Sequence, residues 1–209
     1  MFYAIEKTEL ERINEVKTTI IKMLVNRKFI NEENMENKIK KLIEEDKSEY
    51  IIDLDNSQNY NSIIEDKKIY LKFINTNITS SSKGSEIHDY ILKNMDKYKI
   101  LIVENINLKS EKNITNFDTK YEIFRMTELQ QNIIEHEDYI PHIPLNEDDT
   151  QQILREYNMQ NKEMPMIQSH EIIVRYFNLR IGESFKILRY SQETGISPYY
   201  RLVVKQINS

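Results

Sequence analysis

The sequence predicts an α/β (α+β) protein of two domains, residues 1–138 and 139–209, and three observations carry that expectation. After two leading amphipathic segments, short runs rich in Ile, Tyr and Phe alternate with segments of helical period, the order expected of a mixed sheet flanked by helices. Pro141 and Pro144 stand three apart and force an extended connection between the domains. Two β-rich runs close the chain around a Ser- and Gly-containing connection, which predicts a hairpin at the end of a small second domain.

The elements follow in order. From Glu11 to Lys28, Ile13, Val16, Ile20, Met23 and Leu24 recur at three- and four-residue steps, with Arg12, Glu15, Lys17 and Lys22 between them, so one stripe of a helix is buried. Asn31 caps a second helix with Glu32 and Glu33 in its first turn; Met35, Ile39, Leu42 and Ile43 form its apolar face, and the charged run 44–47 ends it. Residues 50–55 and 68–74 are strands by composition, and 75–84 is a loop. Ser85 caps a helix carrying Ile87, Ile91, Leu92 and Met95, and the continuous apolar run 99–104 is a strand covered on both faces. Ser110 opens a helix with Ile114 and Phe117, residues 121–124 form a fourth strand, and Thr127 caps a short helix through Leu129.

In the second domain Asn146 caps a helix with Glu147, Asp148 and Asp149 in its first turn and Ile153, Leu154 and Tyr157 on its apolar side. Residues 164–167 are extended, Ser169 caps a short helix over 171–177, and Gly182 precedes a strand over 184–190. The connection 191–197 leads into the return strand 198–205. No internal repeat or long low-complexity tract interrupts this order.

Composition excludes several classes of function. The 209 residues hold 29 Lys and Arg against 34 Asp and Glu, a net charge of -5 with 39% hydrophobic residues, so a sizeable core lies beneath a charged surface. No run approaches the roughly 18 apolar residues of a bilayer span, and Met1–Glu6 lacks a secretory signal pattern, so a soluble intracellular protein is expected. With no Cys there is no disulfide framework, thiolate zinc site or Cys nucleophile. Gly84, Gly182 and Gly195 are the only glycines, too few and too scattered for a phosphate-cradling loop. The acidity belongs to the first domain: after residue 150 there are eight basic residues against five acidic, and Arg175, Arg180, Lys186, Arg189, Arg201 and Lys205 lie on the last helix and hairpin.

Three constellations bear on chemistry. His136 and His142 are six apart in an extended segment and match no metal-ligand spacing; His88 and His170 have no Ser or Cys partner in a nucleophile motif. Asp53 and Asp55 share one face if both lie on a strand, where they could hold a divalent ion for hydrolysis. A metal-dependent nuclease would also need an acid and a lysine two apart on the next strand, and there Tyr70 stands where the acid should precede Lys72. Arg175-Tyr176, Arg180, Arg189-Tyr190 and Tyr199-Tyr200-Arg201 interleave guanidinium groups with aromatics, a pattern that suits either single-stranded nucleic acid or the hot spot of a protein interface. Because autonomous phosphate binding draws on many cationic contacts, the acidic chain favours a protein partner over a free-standing nucleic-acid-binding module. Arg175, Tyr176, Arg180, Arg189, Tyr200 and Arg201 are the candidate partner-binding residues; no catalytic, metal or cofactor site is expected.

The blocks Tyr139-Ile140-Pro141-His142, Leu154-Arg155-Glu156-Tyr157, Met164-Pro165-Met166-Ile167, Val174-Arg175-Tyr176, Leu179-Arg180-Ile181-Gly182-Glu183, Phe185-Lys186-Ile187-Leu188-Arg189 and Tyr200-Arg201-Leu202-Val203 stand in the order of a known domain. Together they resemble the assembly domain of the fifth subunit of eukaryotic-type DNA-dependent RNA polymerase, a domain that also makes up the smaller archaeal counterpart of that subunit. Further resemblance lies in Val16-Lys17-Thr18, Met23-Leu24, Asn26-Arg27-Lys28-Phe29, Phe124-Arg125-Met126-Thr127-Glu128-Leu129 and Asn132-Ile133, and is weak between residues 40 and 100. Three positions depart from the family pattern: His170-Glu171 replaces Asp-Pro, Phe177-Asn178 stands where a Gly precedes the Leu, and the connection 191–195 is one residue longer.

The resemblance implies a non-catalytic structural subunit. Its C-terminal assembly domain would dock on the largest subunit among the other polymerase subunits, and its N-terminal jaw domain would stand beside downstream duplex DNA during transcription, touching it at most indirectly. Nucleotide addition and Mg²⁺ would belong to the large subunits, with no membrane or small-molecule substrate involved. The long N-terminal domain is similar to the eukaryotic and large-DNA-virus versions, and the abundance of Ile, Asn and Lys favours the viral one. The site of action would be the nucleus for a cellular protein, and the virion or host cytoplasm for a viral one.

Overall fold

Thr8 opens the first helix of the computed structural model, which describes residues 7–45, 47–55, 64, 66–78, 85–117, 120–191 and 195–205. Its side chain accepts from the Glu11 N–H while the Glu11 carboxylate accepts from the Thr8 N–H at 2.8 Å, a reciprocal cap that starts α1 (Glu9–Asn26) two residues ahead of the apolar periodicity. Helix α2 (Glu32–Glu44) follows from Asn31, whose N–H is satisfied by Asp55 rather than by a cap of its own side chain.

Four strands form the first sheet in the order β1 (Glu49–Asp53), β2 (Lys68–Ile78), β3 (Lys99–Ile106) and β4 (Tyr121–Arg125). The pair β1–β2 is antiparallel, while β2–β3 and β3–β4 are parallel and joined by α3 (Glu86–Lys93) and α4 (Leu108–Phe117). Ile87, Tyr90 and Ile91 of α3 and Ile114 of α4 pack on Ile74, Leu101, Val103 and Ile123. The opposite face carries Ile100, Ile102 and Phe124, and α1 covers it, because Arg27 at its C-terminus reaches Glu122, which alternation places on that face. Burial on both faces explains why β3 reads as an unbroken apolar run.

Several expectations are corrected here. Strand β2 continues through Asn75, Thr76 and Asn77 to Ile78, because β3 offers parallel partners there (Asn77 opposite Asn105), so the first four residues of the expected loop 75–84 are strand and residues 79–84 lie outside the described residues. Leu92 and Met95 are exposed; Tyr90 takes the inward position on α3. Helix α4 begins before Ser110, which is buried, and the Asn107 side chain accepts the Ser110 N–H at 2.7 Å. Thr127 lies inside α5 (Met126–Leu129), whose start is bound by the Glu128 carboxylate on the Arg125 N–H.

The chain divides into two units, Met1–Gln131 and Asn132–Ser209. The division falls seven residues ahead of the proline-based expectation because Ile133 and Ile134, in a 3-10 turn, pack on the second core. The second sheet has the order β5 (His142–Leu145), β7 (Ser184–Ser191), β8 (Gly195–Val204) and β6 (Met166–Gln168), with the β7–β8 hairpin at its centre. Helix α6 (Glu147–Glu156) is capped by Asn146 as expected and anchored by Thr150 Oγ1, 2.8 Å from Ser184 Oγ. Helix α7 (Ile172–Phe177) is preceded by Glu171, not Ser169, with the Glu171 carboxylate accepting from the Gln168 N–H. Asn178 ends it with φ 53°, a left-handed conformation that Asn tolerates nearly as well as Gly, so this departure from the family pattern preserves the backbone. Strand β8 starts at Gly195, earlier than expected, and residues 192–194 of the connection lie outside the described residues.

No helix among the described residues is long and apolar enough to cross a membrane.

Candidate protein-docking face

Register assigns each hairpin residue to a face. Phe185 lies opposite Arg201, Ile187 opposite Tyr199 and Arg189 opposite Ser197, so these side chains share one face with His142 and Pro144 of β5. Toward the sheet centre this face is core: Phe185, Ile187 and Val203 pack with Ile167, Ile173 and Val174. The same face carries two cations, Arg189 in the outer part of the hairpin and Arg201 opposite Phe185. The Arg189 guanidinium lies 4.1 Å from the Tyr199 ring centroid and that of Arg201 5.9 Å from the same ring.

Among the described residues no carboxylate lies within ion-pair distance of Arg189 or Arg201, and Arg201 Nε is buried without a hydrogen-bond acceptor. A buried guanidinium donor lacking an acceptor carries a desolvation penalty. His142 senses both arginines. Burial holds its imidazole below the ordinary value, the Ile140 carbonyl 2.6 Å from Nδ1 opposes that, and the charges of Arg201 and Arg189 add to the depression. Its ring stacks on Tyr139 and meets Phe185 edge-on.

The six candidate residues are not gathered into one site. Tyr176 is only 1% exposed and packs edge-to-face on Phe177, so it is removed from the partner-binding set: its ring fills the core at the base of α7. Tyr200 projects from the opposite face, opposite Lys186 and 5.9 Å from the Tyr157 ring; burial, and then Tyr157, raise its phenol above the ordinary value. Arg175 occupies the last turn of α7, half-buried, and Arg180 is exposed in the following turn, its N–H bound to the Glu183 carboxylate. Arg189 and Arg201 do share a face, and Tyr199, the ring that joins them, was outside the candidate set. Its position two residues before Arg201 on a strand carried that information.

The aspartates assigned to a nuclease site are employed otherwise. Strand β1 ends at Asp53, which is exposed near Lys68 at 3.9 Å, and Asp55 lies in the bend beyond. There Asp55 accepts from the Asn31 N–H and Asn34 Nδ2 and pairs with Lys38 at 3.0 Å. Burial opposes its ionisation, but Asn34, Asn31 and Lys38 outweigh it and hold the carboxyl below its ordinary value. Lys72 stands opposite Glu49, four strand residues or about 13 Å from the position opposite Asp53, and its ammonium lies 3.2 Å from Glu49 and 2.9 Å from Glu86. Among the described residues no three His, Asp or Glu side chains are placed to hold a metal ion.

The second unit is thus a small mixed sheet with a central hairpin and one helix packed on each face, and its sequence has a counterpart among known domains. Residues 131–203 match the family model of the RNA polymerase Rpb5 C-terminal domain, nearly the whole of the second unit. The match covers about a third of the chain, and the relatives that resemble it are named as subunits of RNA polymerases. It is 32% identical over 114 residues to the DNA-directed RNA polymerases I, II and III subunit RPABC1 of Caenorhabditis briggsae, covering 54% of each chain. Identity is 28% over 123 residues to the DNA-directed RNA polymerase V subunit 5A of Arabidopsis thaliana, covering 58% of this chain and 55% of the relative. To the subunit rpabc1 of Dictyostelium discoideum it is 26% over 204 residues, 94% of this chain and 99% of the relative. The chain thus spans about half the length of the worm and plant relatives, and nearly all of the Dictyostelium one.

Proposed function

We propose that the chain is a non-catalytic structural subunit of a multisubunit DNA-dependent RNA polymerase. Its second unit docks on the largest subunit, and its first unit stands as a jaw beside downstream duplex DNA. Nucleotide addition belongs to the large subunits. In a cell such a subunit works in the nucleus; a viral version works in the virion or host cytoplasm.

The observation that carries this proposal is the coincidence of the family match, residues 131–203, with a self-contained unit whose hairpin presents two arginines and no compensating acid among the described residues. Arg and Tyr on a half-desolvated face are the residue types that dominate protein interfaces, and planar guanidinium groups match carboxylates and backbone carbonyls in pairs. Arg175 and Arg180 extend the basic character beyond this pair. Charge reversal at Arg175, Arg189 and Arg201 is expected to weaken incorporation into polymerase, measured as recovery of the largest subunit with the tagged full-length chain. Unchanged recovery would refute this assignment of the docking face.

A further inference from the structure

The β7–β8 hairpin outruns the strands beside it. Strand β5 pairs only with residues 184–187 and β6 only with 202–204, so 188–191 and 195–198 form a two-stranded arm beyond the sheet, with Arg201 at its base. On the face opposite Arg189 and Arg201, Tyr190 lies across from Ile196 and Leu188 across from Pro198. Tyr190 is 79% exposed and Ile196 71%, and Ile143 of β5 (41%) lies on the same face beside Lys186. This is a continuous apolar ladder, capped at its inner end by the Tyr157–Tyr200 contact.

Charge and edge chemistry limit what can cover it. The described hairpin residues, 184–191 and 195–205, include Lys186, Arg189, Arg201 and Lys205 and no acid. A second copy laid arm to arm would oppose like charges, whereas an acidic surface would complement them. Addition of a strand along the outer edge of β8 is interrupted. Leu202 donates to the Pro165 carbonyl on that side, so the even-numbered residues turn their amides outward, and Pro198 among them has no N–H. Contact must therefore come through the faces. Nucleic acid fits poorly, because the exposed ring of Tyr190 lies on the face opposite Arg189 and Arg201, and Tyr199 on their own face is already engaged by both guanidinium groups.

We propose that the arm is received in a cleft of the polymerase partner that has an apolar wall for Tyr190, Ile196, Leu188 and Pro198 and carboxylates for Arg189 and Arg201. The proposal rests on the polymerase-subunit function above and adds the two-sided grip. Its test is recovery of the largest polymerase subunit by the tagged full-length chain from its native source. The chains compared are wild type, Tyr190→Thr/Ile196→Thr, Arg189→Glu/Arg201→Glu and the conservative Tyr190→Phe/Ile196→Val. Threonine keeps strand propensity at exposed sites, so the thermal midpoint of the free chain stays within about 2 °C. The Thr pair is expected to lower recovery about tenfold, as loss of two apolar anchors does, and the conservative pair to retain it. Full recovery with the Thr pair but not with the Arg pair overturns the two-sided grip and leaves the subunit function standing. No recovery by wild type overturns both. A self-association or single-stranded RNA affinity that the Thr pair abolishes while recovery stays intact assigns the ladder to a second copy or to nucleic acid, and also overturns the proposal.

Discussion

Substituting Glu122→Gln removes the counter-charge of a guanidinium that has no access to water. Arg27, the residue that ends α1, has a side chain 1% exposed, and its two terminal nitrogens donate to the two Glu122 oxygens at 2.6 and 2.7 Å; Tyr98 donates its hydroxyl to the same carboxylate. Glutamine is nearly isosteric but keeps one acceptor and turns an NH₂ toward the arginine, so the buried charge loses the bidentate carboxylate it faces. Breaking one side of such a pair costs about 3–5 kcal/mol, a large part of the roughly 5–15 kcal/mol that holds a domain together. Arg27→Met leaves a carboxylate that is nearer solvent and keeps Tyr98, and should cost about 2–3 kcal/mol. The double variant Arg27→Met/Glu122→Gln leaves no stranded charge and should cost less than the sum of the singles by about 2 kcal/mol or more. Urea unfolding read by hydrogen exchange of the β3 and β4 amides isolates this unit, and raising salt should not diminish the coupling, because the pair is buried. Additive costs below about 1 kcal/mol each would refute the account of Arg27–Glu122 as a desolvated, mutually dependent pair.

Three other outcomes follow from the same geometry. Asp55→Ala should cost about 1–2 kcal/mol by freeing the Asn31 N–H and Lys38. Because the Asp55 carboxyl is held low in the folded state, its contribution is present above the unfolded value near 4 and lost as pH falls through the folded value, which urea midpoints between neutral and acid pH will report. His142 should titrate below about 6.5 by NMR and move upward in Arg201→Gln, which removes one of the cations that depress it. Since the unfolded chain binds that proton more readily, the second unit should lose stability as pH drops below about 6.5 and level off beneath the folded value. Asn178→Gly should be near neutral in thermal unfolding, whereas Asn178→Val, forced to φ 53°, should cost about 1–2 kcal/mol.

Much of this fold is legible in the sequence wherever one periodicity serves one burial pattern. Strand β3 and helix α1 are of that kind, whereas in α2 only Leu42 is buried and Ile43, expected on its apolar face, is exposed. Legibility fails at the helix starts, because Ser110, Thr127 and Ser169 are acceptable caps by type while the bonds are made by Asn107, Glu128 and Glu171, a choice set by the incoming backbone. It fails again at Lys99, which begins an apolar run yet is fully buried. Its ammonium donates at 2.6 Å to the Asn94 and Lys97 carbonyls beyond α3, partners that only the folded chain brings together. At the candidate site the residue types were legible and the faces were not. Adjacent strand residues point apart, so Tyr200 and Arg201 serve different surfaces, and nothing local marks Tyr176 as core.

The division of faces also bears on the net charge. A chain of -5 whose described hairpin residues carry only four cations would be poorly built for holding DNA unaided, since phosphate binding draws on many cations placed together. The hairpin sets Arg189 and Arg201 on one face and the exposed Tyr190 and Ile196 on the other. A protein cleft can satisfy both faces at once, because its two walls can differ in chemistry, whereas a phosphate backbone offers one kind of surface. The arm is thus specific by what it places apart as much as by what it places together.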